Sequence, residues 1–325
     1  MRSPLELSYI LPLKWSEDVD RGELAGYLRY LSELVQEVII VDGSDPASFA
    51  ADQAAWGAFV THLAVDPGSN FVNGKVSGAT TGVKAARFEK VIIADDDVRY
   101  EPSVLERMAE LLDLGELVRP QNYFDPLPWH SAWDTSRMMV NRALGGDFPS
   151  TFGLRRSFFL AMGGYDGDVL FENLELMRTV TANGGRVYAA DDLFVARRPP
   201  SRDRFFAQRV RQAYDDFAIP PRMAVWLSLM PTIGWSLARG KPAVVGALGA
   251  SAVGVAAVGR HRAGGRAAFP VWVPLLAPLW LFERAVCAWP ALGMRITGGV
   301  RYGGGKIVTS ANSGRSLARR ALRAR

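Results

Sequence analysis

The sequence predicts an α/β domain with a mostly parallel sheet, followed by an apolar helical region. Residues 37–41 and 89–94 are short, continuous β-branched runs bounded by polar residues, which is typical of buried strands. Before the first of these runs, apolar residues recur at helical spacing over 21–35. Strands that alternate with helices favour a parallel sheet with helices on both faces.

The elements follow one another from the N-terminus. The predicted elements are, in chain order, a strand at 5–11, a helix at 21–35 and strands at 37–41, 59–65 and 89–94. Ser103 and Glu106 have capping-box spacing, which predicts the start of a helix that continues to Leu112. In sheets of this kind, ligands bind beyond the carboxyl ends of the strands.

Composition limits the class of protein. The chain has 325 residues, of which 49% are hydrophobic, and a net charge of +5; this length allows one large domain or two smaller ones. The single cysteine, Cys287, excludes an intramolecular disulfide and fits a reducing compartment. Because the N-terminus lacks the apolar region of a signal peptide, we expect the front of the protein to stay in the cytosol. We expect no nucleic-acid partner.

Three consecutive aspartates, Asp95, Asp96 and Asp97, follow the strand at 89–94. Ionised carboxylates crowded at the end of a buried strand repel one another, and a divalent cation would neutralise them. Alternate residues of an extended segment point the same way, so Asp95 and Asp97 can share one face. Their oxygen ligands suit Mg²⁺ or Mn²⁺. The alternative is a polar turn with helix-capping aspartates.

Asp42 ends the strand at 37–41. A carboxylate at this position can accept hydrogen bonds from a ribose or from a base N–H. The alternative is that Asp42 caps the turn that Gly43 and Ser44 begin. Asp42 and the aspartate triplet both follow buried strands, which indicates that they belong to one site.

A series of short motifs extends over about residues 5–217. In chain order they are Val41-Asp42-Gly43-Ser44-Asp45, Asn73-Gly74-Lys75, Asp95-Asp96-Asp97, Gly163-Gly164-Tyr165-Asp166, Phe-Glu-Asn-Leu-Glu-Leu at 171–176 and Gln-Arg-Val-Arg-Gln at 208–212. This series resembles the family 2 glycosyltransferases of the membrane-anchored bacterial type. The resemblance implies a GT-A fold (a Rossmann-like mixed, mostly parallel sheet with flanking helices), a nucleotide-diphosphate sugar donor, and Mg²⁺ or Mn²⁺ bridging the diphosphate.

The resemblance also implies roles for single residues. Donor contacts are expected from Asp42, Lys75, Asp95, Asp96, Gln208, Arg209 and Arg211, and metal contacts from Asp95 and Asp97. The chemistry agrees, because a cation and Lys or Arg side chains stabilise the negative charge left on a departing diphosphate. The alternatives are that Lys75 is an ordinary loop lysine and that the basic helix at 202–217 lies against anionic lipid headgroups.

The catalytic base departs from the family pattern. The family has an aspartate after the residue equivalent to Glu172, and this chain has Asn173. Because an amide cannot accept the proton of an acceptor hydroxyl, Glu172 or Glu175 would have to serve, and Glu172 is preferred. Alternatively, both glutamates stabilise a helix N-terminus. Gln212 stands where the family usually has tryptophan, which argues against a processive polymerase.

The C-terminal third predicts membrane attachment. We expect a GT-A domain at 1–222, an interfacial helix and a transmembrane helical hairpin at 223–300, and a basic cytosolic tail at 301–325. The candidate spans are residues 243–258 and the run from 269 to 294. The positive-inside rule keeps the tail cytosolic, which predicts a multi-pass protein of the cell membrane with a cytosolic catalytic domain. The alternative is a buried helical hairpin of a soluble protein.

Together these features predict a metal-dependent, membrane-associated glycosyltransferase of the hexosyltransferase class. It would transfer a sugar from a nucleotide-diphosphate sugar to a lipid-linked or membrane-proximal acceptor, with inversion and without processivity. Attachment to membrane lipids would raise the effective concentration of such an acceptor. One alternative is a catalytically silent nucleotide-sugar-binding scaffold of the same fold, which Asn173 suggests. The other is a nucleotidyltransferase with paired aspartates.

Overall fold

A computed structural model describes residues 3–15 and 20–324 of the chain. Its strands are β1 (Leu5–Leu13), β2 (Val35–Asp42), β3 (Thr61–Ala64), β4 (Lys90–Ala94), β5 (Val98–Arg99), β6 (Leu117–Phe124), β7 (Thr151–Arg155), β8 (Val187–Arg197), β9 (Val300–Tyr302) and β10 (Gly305–Ile307). Its helices are α1 (Arg21–Leu34), α2 (Pro46–Trp56), α3 (Gly74–Ala85), α4 (Pro102–Leu111), α5 (Trp129–Ala143), α6 (Arg156–Ala161), α7 (Glu172–Ala182), α8 (Arg202–Ala207), α9 (Arg209–Asp215), α10 (Pro220–Ala238), α11 (Pro242–His261), α12 (Ala277–Ile296) and α13 (Gly314–Ala324).

One sheet of eight strands organises the first two-thirds of the chain, in the order β3-β2-β1-β4-β7-β6-β8-β5. Strand β1 pairs in parallel with β2 and β4, and β7 runs antiparallel to both β4 and β6. The predicted mixed, mostly parallel sheet is therefore confirmed. Since β2 and β4 flank β1, their carboxyl ends lie at the same edge, about 10 Å apart by strand spacing.

The sheet is buried on both faces, and β1 shows how. Leu7, Tyr9 and Leu11 point into the cluster beneath α1 and α4, whereas Ile10 points into the opposite cluster with α3. This alternation follows from the two-residue period of a strand. A Cβ on Gly82 of α3 would lie 2.4 Å from Cγ2 of Ile10, so glycine is required for this close approach of helix and sheet.

Helix starts are set by capping residues. Asp20, Asp45 and Asn73 each accept hydrogen bonds from backbone N–H groups at the start of α1, α2 and α3, which satisfies donors that the helix leaves unpaired. The predicted capping box at Ser103 is wrong, because α4 begins at Pro102 with Glu101 as an N-cap that forms no side-chain cap bond. A proline in the first turn starts the helix because its φ is already helical.

Helices α10, α11 and α12 pack with α5 and α9 around one apolar cluster. Within the described residues, Pro242–Gly264 and Val273–Ile296 are long and apolar enough to cross a membrane, with mean hydropathies of 1.8 and 1.3. Within each segment, only a small share of the apolar 18-residue stretch is buried inside the protein: 17% in the first segment and 33% in the second. Much of their apolar surface therefore faces outward, which supports membrane association by length and composition.

The loop between α11 and α12 is attached to the sheet domain. The guanidinium of Arg142, buried on α5, donates hydrogen bonds to the carbonyl oxygens of Gly259, Arg262 and Ala263. The two candidate spans were predicted to form a hairpin with this loop on the far side of a membrane. The contacts of this loop with Arg142 place it against the sheet domain and do not favour that arrangement, so the transmembrane hairpin stays a prediction.

The middle of α12 also contacts the domain. Glu283 lies 3.7 Å from the guanidinium of Arg209 on α9, and the Arg284 guanidinium lies 3.5 Å from a carboxylate oxygen of Asp216. Charges at the centre of a lipid-embedded helix are costly unless they are paired. Here the charged partners belong to α9 and the residue that follows it, so this face of α12 is turned toward protein.

The basic C-terminal region folds back over the domain. Strands β9 and β10 form an antiparallel hairpin, and the backbone N–H groups of Leu170 and Phe171 donate to the carbonyls of Thr309 and Ser310. Leu317 on α13 is buried. Residue 325, the end of the predicted tail, lies outside the described residues. The described part of this region is therefore folded and packs against the start of α7.

Candidate active site

Lys75 joins three segments at the carboxyl edge of the sheet. Its Nζ lies 2.8 Å from Oδ1 of Asp95, which follows β4, and 2.9 Å from Oε1 of Glu172, the first residue of α7. Burial alone lowers the pKa of Lys75, but the charges of Asp95 and Glu172 outweigh it and hold that pKa above its usual range. A protonated lysine is therefore fixed beside two of the predicted site carboxylates.

The aspartate triplet has one pairing that the sequence did not indicate. Nε of Arg197, at the end of β8, lies 2.7 Å from Oδ2 of Asp97. Oδ1 of Asp97 is buried and has no hydrogen-bond partner within the described residues. Burial raises the pKa of Asp97, and burial together with the charges of Asp97 and Asp95 raises the pKa of Asp96 to about 6.

These residues fit a divalent cation. A buried carboxylate oxygen without a partner is costly, and a cation at Asp97 Oδ1 would both satisfy it and offset the crowded negative charge. Among the described residues no three His, Cys, Asp or Glu side chains form a metal-binding group by themselves. If Mg²⁺ or Mn²⁺ binds at this edge, Asp95 and Asp97 would be its protein ligands, with the remaining positions left for phosphate oxygens and water.

Asp42 lies at the expected edge of the sheet, but its carboxylate is engaged. Its side chain is fully buried, and Oδ1 accepts a hydrogen bond from the backbone N–H of Ser44. Oδ2 lies 3.2 Å from Nε2 of His62, whose ring stacks on Phe49. This is the geometry that the turn-capping alternative predicts, and it leaves a donor contact from Asp42 as an untested prediction.

Glu175 is also held by the protein. Its side chain is completely buried, and its two oxygens accept hydrogen bonds from the backbone N–H and the side-chain amide of Asn312. The geometry thus favours a structural role for Glu175 over the predicted catalytic role. Asn312 lies in the C-terminal region, 137 residues after Glu175, so no local sequence pattern indicates this contact.

The three predicted phosphate-binding residues separate into two groups. Gln208 and Arg211 line one cavity of about 650 Å³. Arg209 points the other way, where its guanidinium lies 3.0 Å from a carboxylate oxygen of Asp134 on α5. The predicted basic helix breaks at Gln208 into α8 and α9, and Arg209 serves the packing between α9, α5 and α12.

Several residues of this region were not predicted from the sequence to belong to the site. Arg197 pairs with Asp97 of the triplet, and no motif of the sequence indicated this role. The hairpin β9–β10 places Arg301 and Lys306 in the wall of the same cavity as Arg211, and the Arg211 guanidinium lies 5.2 Å from the ring centre of Tyr302. The run Gly303-Gly304-Gly305 was a usable signal for this turn.

Comparison with known proteins agrees with the fold. Residues 38–118 match the model of Glycosyl transferase family 21, where the sequence resemblance was to family 2. No curated protein sequence matches the chain. Among solved structures, the chain is similar to the mannosyltransferase PcManGT of Pyrobaculum calidifontis in complex with GDP-Man and Mn²⁺, with 18% identity, a TM-score of 0.51, and coverage of 89% of this chain and 88% of that one.

A second likeness is partial. The glucosyl-3-phosphoglycerate synthase of Mycobacterium tuberculosis, solved with Mn²⁺, uridine diphosphate and phosphoglyceric acid, has 16% identity and a TM-score of 0.41, with coverage of 62% of this chain and 73% of that one. That score is too low to bear on the fold. The likeness to PcManGT confirms the predicted GT-A fold. With the family match to residues 38–118, it identifies the chain as a glycosyltransferase of the GT-A type.

Proposed function

We propose that the chain transfers a sugar from a nucleotide-diphosphate sugar to a lipid-linked or membrane-proximal acceptor, with Mg²⁺ or Mn²⁺ as its cofactor. The observation that carries this proposal is the cluster around Lys75, in which Asp95 and Glu172 lie within 3 Å of one ammonium group. The cluster connects two parts of the domain. Lys75 and Asp95 lie within residues 38–118, which carry the family match, and Glu172 begins α7 on the predicted acceptor side.

The donor side would be built on the aspartate triplet. Asp95 and Asp97 would hold the cation, which neutralises charge on the leaving diphosphate when it is bound. Arg197 keeps one oxygen of Asp97 in place, so the unpartnered Oδ1 stays oriented for a ligand. Lys75, fixed in its protonated form, adds a positive charge within reach of the same edge.

On the acceptor side, Glu172 is the better placed of the two predicted bases. Glu175 is completely buried and bound to Asn312, whereas the Glu172 side chain is 14% exposed and opens toward Lys75. For a hydroxyl acceptor and an inverting displacement, we propose Glu172 as the proton acceptor. Its ion pair with Lys75 orients the carboxylate.

Membrane association is supported by the outward faces of α10, α11 and α12. The large exposed apolar side chains there include Trp235, Val258, Phe282, Trp289 and Ile296. Arg239 and Lys241 follow Trp235 at the turn between α10 and α11, and both cations lie within 6 Å of its ring centre. Tryptophan and basic residues together are typical of the headgroup region of a membrane. We propose that this surface rests on or enters the bilayer.

A scaffold function is favoured by one observation. Asn173 replaces the usual base, and its Oδ1 lies 3.5 Å from Nζ of Lys75, so it occupies the site without being able to take a proton. A scaffold would bind the nucleotide sugar and release nothing.

The test uses the full chain purified in detergent. A panel of nucleotide sugars is supplied with Mn²⁺ or Mg²⁺ and a lipid extract, and nucleoside diphosphate release is measured. We expect release with at least one donor, and a loss of about 100-fold in Asp97→Asn. Asp113→Asn is the matched control, because Asp113 lies at the surface in an ion pair with Lys90. Nucleotide binding without release would indicate the scaffold, and release of pyrophosphate would indicate nucleotidyl transfer.

A further inference from the structure

We propose that the cavity between α8–α9, the end of α12 and the hairpin β9–β10 binds the phosphate of an anionic acceptor, and that a phosphate oxygen of this acceptor is the nucleophile. This inference rests on the proposed sugar transfer and names the chemical class of its acceptor. The class is a phosphate monoester, from either a lipid headgroup or a soluble phosphate.

The charge of the cavity indicates an anionic ligand. Its wall contains the cationic side chains of Arg204, Arg211, Arg301 and Lys306, and no carboxylate among the described residues lines it. At about 650 Å³ it is large enough for a phosphate and the first part of an organic chain. Guanidinium groups match phosphate oxygens in geometry as well as in charge.

The hairpin gives an independent indication. Arg301 and Lys306 are directly opposite each other in the antiparallel pair β9–β10, and like charges at opposed positions destabilise a two-stranded ribbon. Among the described residues, no carboxylate lines the cavity beside Arg301 and Lys306. An anion between them would remove the repulsion, so a phosphate ligand explains why both charges face the cavity.

The cavity adjoins the reaction centre. The turn of the hairpin packs directly on Val72, just before Lys75: a Cβ on Gly303 would lie 2.6 Å from the Val72 carbonyl oxygen. Tyr302, between the hairpin's cations in sequence, packs against the Arg211 guanidinium. An acceptor held in the cavity would therefore have its head close to the edge where Lys75 and the aspartate triplet lie.

A phosphate nucleophile also explains the missing base. Glu172 is paired with Lys75, Glu175 is bound by Asn312, and Asn173 cannot take a proton. A phosphate monoester is already largely ionised at neutral pH, so no base is needed. The acceptor oxygen forms a bond to the anomeric carbon, the bond from that carbon to the diphosphate oxygen breaks, and the nucleoside diphosphate leaves with the electron pair.

The apolar part of the cavity suits an amphipathic acceptor. Val210, Met294 and Val300 contribute to its wall, and Ile296 beside it is 77% exposed on the last turn of α12. A hydrocarbon tail leaving the cavity would meet the apolar surface of this helix, which adds favourable burial that a soluble phosphate lacks.

The first experiment compares acceptors on the full chain in detergent, with the nucleotide sugar that supports release. The probes are a long-chain polyprenyl phosphate, the matching polyprenol, and a soluble short-chain prenyl phosphate. We expect a glycosyl phosphodiester product from the phosphates and none from the alcohol. A kcat/KM at least tenfold higher for the long-chain phosphate assigns the acceptor to lipid, and equal values assign it to soluble phosphates. Glycosylation of the alcohol alone would overturn the inference.

The two proposals fail separately. If a lipid extract supports nucleoside diphosphate release but neither phosphate does, the acceptor inference is wrong and the sugar-transfer proposal stands. If no donor is ever turned over, the sugar-transfer proposal fails first.

The second experiment tests the cavity. Arg301→Gln combined with Lys306→Gln should raise the KM for the phosphate acceptor at least tenfold and leave the donor KM unchanged. Arg301→Lys should retain most of the affinity, and Arg319→Gln, an exposed position on α13, is the control. A rise in the donor KM alone would assign the cavity to the donor diphosphate and overturn the inference.

Discussion

Nε of Arg197 lies 2.7 Å from Oδ2 of Asp97, so the end of β8 holds one oxygen of the aspartate triplet while the other oxygen stays unpartnered. We expect Arg197→Gln to lower the free energy of unfolding of the metal-free protein by about 1 to 2 kcal/mol, because the pair is partly exposed. Mn²⁺ should recover part of this loss, since the cation neutralises Asp97. Thermal unfolding with and without MnCl₂ measures both effects. An unchanged Tm on adding Mn²⁺, in wild type and variant alike, would contradict the metal assignment.

Lys75 balances the charges of Asp95 and Glu172. Lys75→Gln removes that charge at the reaction centre, and we expect kcat for nucleoside diphosphate release to fall about 100-fold. Lys84→Gln is the control on the same helix, where the ammonium pairs with Asp66 at the surface. Equal activity of the two variants would remove Lys75 from the proposed mechanism.

Glu175 and Asn312 form a buried contact between α7 and the C-terminal region. Glu175→Ala leaves buried amide groups without acceptors, so we expect a loss of about 1 to 3 kcal/mol in the free energy of unfolding. Turnover per folded molecule should be retained. Denaturant unfolding and active-site titration separate these quantities. A stable but inactive Glu175→Gln protein would instead restore the catalytic prediction for this residue.

Asp215 gives the protein a pH-dependent stability. Burial, together with the nearby charge of Glu172 and only partly offset by Arg211, raises the pKa of Asp215 to about 8. Between about pH 4 and pH 8 the folded state keeps a proton that the unfolded state has lost, so this group makes stability fall as pH rises, by up to about 1.4 kcal/mol per pH unit. The decrease ends above pH 8.

Asp215→Asn removes this titration. We expect the variant to show a flatter dependence of the unfolding free energy on pH, and to be more stable than wild type at pH 8. Urea unfolding at pH 5.5, 7 and 8.5 measures the slopes. Parallel slopes in the two proteins would show that Asp215 titrates normally.

Two glycines of α11 differ in their surroundings. A Cβ on Gly259 would lie 1.8 Å from the carbonyl oxygen of Met139, whereas nothing lies within 4 Å of a Cβ on Gly254. We expect Gly259→Ala to destabilise the attachment of α11 to α5 by about 2 kcal/mol or more. Gly254→Ala should stabilise the helix by about 0.5 to 1 kcal/mol. Limited proteolysis and thermal unfolding compare the two; equal behaviour would argue against this packing.

The sequence alone was sufficient for features that depend on local periodicity. The β-branched runs at 37–41 and 89–94 could be identified as buried strands of one mostly parallel sheet, in which β2 and β4 flank β1. Asp95 and Asp97 could be placed at the carboxyl edge from the alternation of a strand, and the apolar character of α11 and α12 was evident from composition.

The partners of those residues were decided by tertiary structure. Lys75 and Glu172 are 97 residues apart, and Glu175 and Asn312 are 137 apart, so no local pattern connects them. Arg209 and Arg211 looked equivalent in sequence, but the break at Gln208 turns one toward α5 and the other toward the cavity. Periodicity determines which face of an element is buried; which side chain it meets depends on the segment that packing brings opposite.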